Sequence, residues 1–120
     1  MNFITGKISH YRGKHNGNIT GASFPRDSLN HDINLEINYS KLPGDFKAPK
    51  HLHSKTKTLV IVTRGKMFFN VDGQKVELGA GDFLIFPKNI AEEVIKVEPG
   101  TESITIHAPS IQGGDKIVLN

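Results

Sequence analysis

The chain has 120 residues, a length that predicts one domain with a sizeable buried core. It contains no cysteine, which excludes disulfides, thiolate zinc sites and cysteine nucleophiles. The N-terminal segment lacks the apolar centre of a signal peptide, and no apolar run approaches the roughly 20 residues of a membrane span. These features predict a soluble, cytoplasmic protein that does not bind a membrane.

The net charge of +3 is concentrated in one segment. Five lysines against a single acid lie in residues 41–57, so the whole positive excess of the chain falls there. One interpretation is that the lysines steer an anionic ligand, and the other is a solvated loop. Nucleic-acid binding is disfavoured because no aromatic residues alternate with these lysines. The lysines are Lys41, Lys47, Lys50, Lys55 and Lys57.

The first third of the chain predicts short strands. Residues 1–31 are polar and rich in glycine, and they are interpreted as one or two strands joined by loops. The following segment "DINLEINY" alternates between apolar and polar residues, which is typical of a half-buried strand. Its apolar positions predict a core role for Tyr39 rather than a catalytic one. These positions are Ile33, Leu35, Ile37 and Tyr39.

The segment "HLHSKTKTLVIVTRG", residues 51–65, combines a histidine pair with an apolar run. Residues 58–63 are short and β-branched, which favours a buried strand. In an extended chain His51 and His53 point to the same side, and imidazole is a good ligand for zinc, iron, copper or nickel. The alternative is that both histidines lie at a loop edge and only titrate near neutral pH.

The segment "KMFFNVDGQKVEL" predicts a β-hairpin. Asp72-Gly73 is a two-residue turn of the kind that requires positive φ. A turn at this position fixes the register of both strands and stacks apolar pairs on one face. The predicted pairs are Val71 with Gln74, Phe69 with Val76, and Met67 with Leu78.

Strands also dominate the remainder of the chain. The segment "DFLIF" predicts a strand that ends at Pro87. The segment "IAEEVIKV" is compatible with a surface helix or a strand, and its shortness between two prolines favours a strand. In "SITIHA", His107 lies on the face opposite Ile104 and Ile106, so it faces either a cavity or solvent. About eight short, evenly spaced strands predict a β-sandwich or barrel.

The order of these features resembles the cupin superfamily, whose first motif combines a glycine, a His-x-His pair, a glutamate and a closing glycine. Gly44, His51, His53 and Gly65 match this motif. Thr58 occupies the position of the glutamate.

The second cupin motif runs glycine, proline, glycine, histidine and asparagine. Gly81 and Pro87 match its beginning. Asn89, Glu92 and Lys96 occupy its later positions, so the usual histidine is replaced by Glu92. An ion pair between Glu92 and Lys96 is a structural explanation for both residues.

The resemblance covers roughly residues 33–109 and implies an all-β fold, the double-stranded β-helix or jelly-roll barrel. On this basis residues 1–120 form one domain. Residues 1–31 form its N-terminal strands or arm, 33–109 its barrel core and 110–120 its C-terminal tail. Small cupins commonly pair, which implies a homodimer.

The resemblance also implies a ligand set and an activity. His51, His53 and Glu92 are expected to bind a divalent metal ion (iron, zinc, nickel or manganese), with Thr58 and His107 as catalytic residues near the substrate. Two histidines and one carboxylate suit non-haem iron oxygenases and open zinc sites. The expected function is that of a dioxygenase, isomerase, epimerase or lyase acting on a small anionic or sugar-like metabolite. The alternative is a metal-free cupin that binds a small ligand without catalysis.

Overall fold

The computed structural model describes residues 3–12 and 15–120, which fold into strands preceded by two short helical turns. None of the described residues belongs to a helix long and apolar enough to cross a membrane. The elements are helix α1 (Ile8–Arg12), a 3₁₀ turn (His15–Gly17), and strands β1 (Asn18–Thr20), β2 (Glu36–Leu42), β3 (Ala48–His53), β4 (Lys57–Arg64), β5 (Lys66–Val71), β6 (Gln74–Gly79), β7 (Phe83–Phe86), β8 (Glu92–Val97), β9 (Thr101–Ala108) and β10 (Lys116–Val118).

The strands form two five-stranded sheets, in the orders β1-β2-β9-β4-β7 and β10-β3-β8-β5-β6. The neighbouring strands in both sheets are antiparallel. Strands that are distant in sequence pair side by side, because the chain crosses repeatedly between the two sheets. This arrangement confirms the predicted all-β jelly-roll fold.

The predicted hairpin is confirmed in both its turn and its register. Asp72 and Gly73 have φ angles of 50° and 80°, as a type I′ turn requires. Strands β5 and β6 pair as predicted, with Phe69 opposite Val76 and Met67 opposite Leu78. Both pairs therefore contribute to the same face, and Phe69, Met67 and Leu78 are buried.

The segment that was compatible with a helix is strand β8. It lies between β3 and β5 in the second sheet, where both of its edges are paired. A register shift opposite Phe68 and Phe69 bulges the strand, which leaves Lys96 exposed while Glu92 is buried. The predicted ion pair between these two residues is therefore wrong, and the Lys96 ammonium lies 5.7 Å from the centre of the Phe68 ring.

The hydrophobic core lies between the sheets. It is built from the inward residues of β2, β4, β5, β6 and β8, and Val62 and Val97 are almost fully buried. Burial of such a cluster supplies the main stabilisation of the barrel. The core residues are Leu42, Val60, Val62, Met67, Phe69, Leu78, Val94 and Val97.

The first sheet presents an apolar outer face. Cross-strand pairing aligns Ile37, Ile106, Leu59 and Ile85 in one row, and Tyr39, Ile104, Ile61 and Phe83 in the next. Phe83 is 64% exposed and Ile85 49%, which identifies this face as the outer one. The core role predicted for Tyr39 is wrong, because β2 turns Glu36 and Leu42 inward instead. We call these eight residues the outer apolar face.

Candidate functional site

His51 and His53 lie on β3 and are both buried. The His51 ring bonds through Nδ1 to the carbonyl oxygen of Pro49, at 2.6 Å. The His53 ring bonds through Nδ1 to Oδ2 of Asp115, at 2.7 Å. Because a carbonyl and a carboxylate both accept, each Nδ1 carries the hydrogen, and in the neutral ring each Nε2 therefore keeps its lone pair. The pair therefore offers two imidazole nitrogens in the form that binds metal ions.

Glu92 lies opposite His51 in the pairing of β3 with β8. Its Oε1 is 3.4 Å from His51 Nε2, and one potential ligand atom from each of His51, His53 and Glu92 lies within 4.8 Å of the others. Among the described residues, Glu92 Oε2 is buried without a hydrogen-bond partner. The three residues could hold a metal ion, and a cation would satisfy the unpartnered oxygen.

Burial raises the pKa of Glu92 to about 7, and the positive charge of Lys116 opposes this shift in part. Burial also lowers the pKa of His51, against the effect of its bond to Pro49. Both shifts favour the neutral forms in the metal-free protein. An arriving cation would favour the carboxylate instead, so it would displace a proton from Glu92.

Thr58 and His107 lie opposite each other in the pairing of β4 with β9. Thr58 Oγ1 and His107 Nδ1 are 3.2 Å apart, and the centres of the His107 and His53 rings are 5.3 Å apart. Because Ile104 and Ile106 lie on the outer apolar face, His107 is turned towards the interior. Burial, together with the nearby His53 and His51 and against the opposing charge of Asp115, lowers the pKa of His107 to about 4. His107 is therefore a neutral imidazole at physiological pH.

These side chains line a cavity of about 260 Å³ between the two sheets. His51, His53 and Glu92 come from the second sheet, and Thr58 and His107 come from the first. Hydroxyl groups and apolar side chains complete the lining, in the mixture typical of small-molecule sites. The remaining lining residues include Ser40, Ser103, Thr105, Leu42, Phe46, Val60, Met67, Phe69, Val94, Ile111 and Lys116.

The C-terminal segment contributes to the site although no sequence motif indicates it. Asp115 is 1% exposed and bonds to His53, and Lys116 lines the cavity. Strand β10 carries Lys116 and pairs it with His53. The segment "GGDKIV" offers a turn followed by a short β-branched strand, which is a detectable signal for the strand but not for its neighbour in the fold.

The two sheets and the cavity between them define a jelly-roll barrel with a site between its walls. Residues 40–96 match the family described as the cupin domain. This segment contains β3 to β7 and most of β8, and with them both histidines and Glu92. The chain therefore contains a cupin domain, as its sequence motifs predicted.

Solved structures share the fold at low sequence identity. KdgF from Halomonas sp. is 21% identical, with 68% of this chain and 74% of that chain covered and a TM-score of 0.64. A Streptomyces protein, PAC13, solved with uridine, is 18% identical, with 74% and 71% covered and a TM-score of 0.63. The TDP-quinovose 3,4-ketoisomerase WlaRB from Campylobacter jejuni is 19% identical, with 69% and 68% covered and a TM-score of 0.63. No curated protein matches the chain.

Proposed function

We propose that this cupin binds one divalent metal ion through His51, His53 and Glu92 and acts on a small metabolite in the adjoining cavity. The observation that carries the proposal is the buried Glu92 Oε2, which has no partner among the described residues. An unpartnered buried carboxylate oxygen costs free energy that a cation would recover. The two Nε2 atoms complete a set of two histidines and one carboxylate, which leaves coordination positions open for substrate.

A bound metal ion would supply Lewis-acid polarisation of a substrate oxygen, or redox chemistry if it is iron. These two possibilities correspond to an isomerase, epimerase or lyase and to an oxygenase. The remaining polar pair of the cavity is suited to moving a proton. With Nδ1 of His107 bonded to Thr58, its Nε2 is the ring nitrogen left for a substrate proton. The low pKa of His107 keeps that imidazole neutral. When its Nδ1–H donates to Thr58 Oγ1, the Nε2 lone pair is free to accept a hydrogen bond or a proton from the substrate.

The proposed substrate is small and either anionic or sugar-like. The cavity of about 260 Å³ limits the part of a ligand that it can enclose. The hydroxyls of Ser40, Ser103 and Thr105 offer hydrogen bonds to substrate hydroxyl groups, and Lys116 offers a positive charge to an anionic group. The five lysines of residues 41–57 are all exposed, as steering requires. The uridine bound by PAC13 and the sugar nucleotide named for WlaRB agree with this class.

Metal content tests the proposal directly. Protein purified without a histidine tag or chelator is analysed by inductively coupled plasma mass spectrometry, together with His51→Ala and Glu92→Ala. His10→Ala is the matched control because His10 is exposed on helix α1, away from the cavity. We expect near-stoichiometric iron, zinc, nickel or manganese in the wild type and the control, and loss of the metal in both site variants.

Other outcomes have distinct meanings. Metal that is lost from His51→Ala but kept by Glu92→Ala would retain the site and reject Glu92 as a ligand. A wild-type protein that is purified without metal and does not bind added metal would contradict the proposal. That result would favour the alternative, a cupin that binds a small ligand without metal.

We also propose that the protein is a homodimer. The outer apolar face supports this proposal, because four strands align its two rows of side chains on one surface. Exposed apolar patches of this kind commonly mark interaction surfaces. A second copy of the chain can offer the same two rows to the first, which is the self-complementarity that a two-fold interface requires.

A further inference from the structure

The carboxylate of Asp115 is bonded to one of the proposed metal ligands. Its Oδ2 accepts the 2.7 Å bond from His53 Nδ1, and its Oδ1 accepts a 2.8 Å bond from the backbone N–H of Lys55. Burial opposes ionisation, but the bonds from His53 and Lys55 outweigh it and hold the pKa of Asp115 below its ordinary range. Both oxygens are therefore used as acceptors.

The backbone around Asp115 is fixed as firmly as its side chain. The N–H of Ser54 donates to the Asp115 carbonyl at 2.8 Å, and the Ser54 hydroxyl donates to the Gly114 carbonyl at 3.2 Å. Strand β10 then pairs with β3 along its whole length. The segment that carries Asp115 is thus bonded to the segment that follows His53, and these bonds define the position of the Asp115 carboxylate.

We propose that Asp115 is a positioning residue, which holds His53 in the Nδ1–H tautomer and directs its Nε2 lone pair to the metal. The inference rests on the proposed metal site, and it assigns to that site a residue from outside the cupin motifs. A histidine ligand whose other nitrogen donates to a carboxylate is fixed in tautomer and orientation and becomes a more basic ligand. The 62-residue separation of the two residues makes this a contact that only the fold creates.

The chemistry of asparagine makes Asp115→Asn a sharp test. Asparagine has one acceptor oxygen where aspartate has two, yet two donors, His53 Nδ1–H and Lys55 N–H, require acceptors here. If the amide nitrogen faces His53, the ring must present its Nδ1 lone pair and carry the hydrogen on Nε2. The Nε2–H form cannot bind a metal through that nitrogen, so we expect a roughly 10- to 100-fold loss of metal affinity.

Affinity is measured with Co²⁺ as the probe, by isothermal titration and by the visible absorption of the bound ion. The wild type, Asp115→Asn and the control Asp82→Asn are compared after removal of metal. Asp82 is exposed, and its Oδ2 accepts a 2.8 Å bond from the backbone N–H of Gly79, so the control loses a similar acceptor away from any histidine. We expect the control to bind as the wild type does, and Asp115→Asn to bind more weakly with an altered spectrum. Equal Co²⁺ affinity in all three proteins would overturn the inference and leave the metal site in place.

A second measurement needs no variant and no metal. Long-range ¹H–¹⁵N correlation spectra of the metal-free wild type report which ring nitrogen of His53 carries the hydrogen. We expect the Nδ1–H tautomer, and the Nε2–H tautomer would overturn the inference even if Asp115→Asn failed to fold. A wild-type protein that binds no Co²⁺ but shows the Nδ1–H tautomer would contradict the proposed function while upholding the orientation of His53 by Asp115.

Discussion

The dependence of folding stability on pH should change when His107 is replaced by asparagine. Asparagine keeps a polar group near the position of Nδ1, so the contact with Thr58 can be retained, but it does not titrate. The pKa of His107 is lowered from 6.5 to about 4, chiefly by burial. The unfolded chain therefore takes up a proton on this histidine as the pH falls below 6.5, and the folded protein does not do so until about pH 4.

This difference destabilises the wild type as the pH falls through that window. A shift of this size corresponds to about 3 kcal/mol between pH 7 and pH 4, and His107 is only 8% exposed, so solvent screening reduces it little. With a urea m-value of about 1–3 kcal/mol/M, the midpoint of unfolding should move by about 1–3 M. His107→Asn should lack this part of the pH dependence, whatever packing stability it loses at pH 7.

The assay is urea unfolding of metal-free protein, followed by circular dichroism at several pH values from 7.5 to 4. The exposed His10 provides the control variant His10→Asn, whose profile should follow that of the wild type. All other titrating groups, including Glu92, are present in both proteins, so the difference between the wild-type and His107→Asn profiles isolates His107. Parallel profiles for these two proteins would refute the assignment of a buried, neutral His107.

Two further predictions concern stability and assembly. Gly65→Ala should lower the free energy of unfolding by more than about 2 kcal/mol, because a Cβ at this residue of φ +81° would overlap Thr101 Oγ1 and lie 2.9 Å from Thr101 Cα. The control Gly73→Ala, at a residue of φ +80° with open space around it, should lower it by only about 1 kcal/mol. Equal unfolding midpoints for the two variants would contradict the steric argument. Phe83→Glu should convert the expected homodimer to a monomer, as measured by light scattering. The control Ile95→Glu replaces an exposed residue of the other sheet and should leave the dimer intact. A wild type that is monomeric at all concentrations would contradict the proposed dimer.

Local chemistry explains why much of the fold could be predicted. The Asp72-Gly73 turn determines its hairpin because only a few residue types adopt positive φ in succession. The shortness of "IAEEVIKV" between two prolines was enough to favour strand β8, and the structure confirms it. Glu92, rather than Glu93, reaches the cluster because it lies opposite His51 in the ladder.

Other features depend on contacts that no local pattern encodes. The alternation of "DINLEINY" correctly indicates only the first half of β2, which begins at Glu36. Its positions Ile37 and Tyr39 lie on the outer face, because the interior at that level is partly a polar cavity. The bulge of β8 reverses the side on which Lys96 lies, and a bulge depends on the partner strand. Asp115 could not be connected with His53 from sequence, since their contact depends on how β10 is added beside β3.

The division of the site between two sheets has a consequence for how such a protein can change. The proposed metal ligands lie on β3 and β8, whereas Thr58 and His107 lie on β4 and β9 of the opposite sheet. Substitutions in the first sheet can therefore alter what is done to a substrate without disturbing how the ion is held. Mutations in the first sheet can change the reaction, while the second sheet keeps the residues that hold the metal ion.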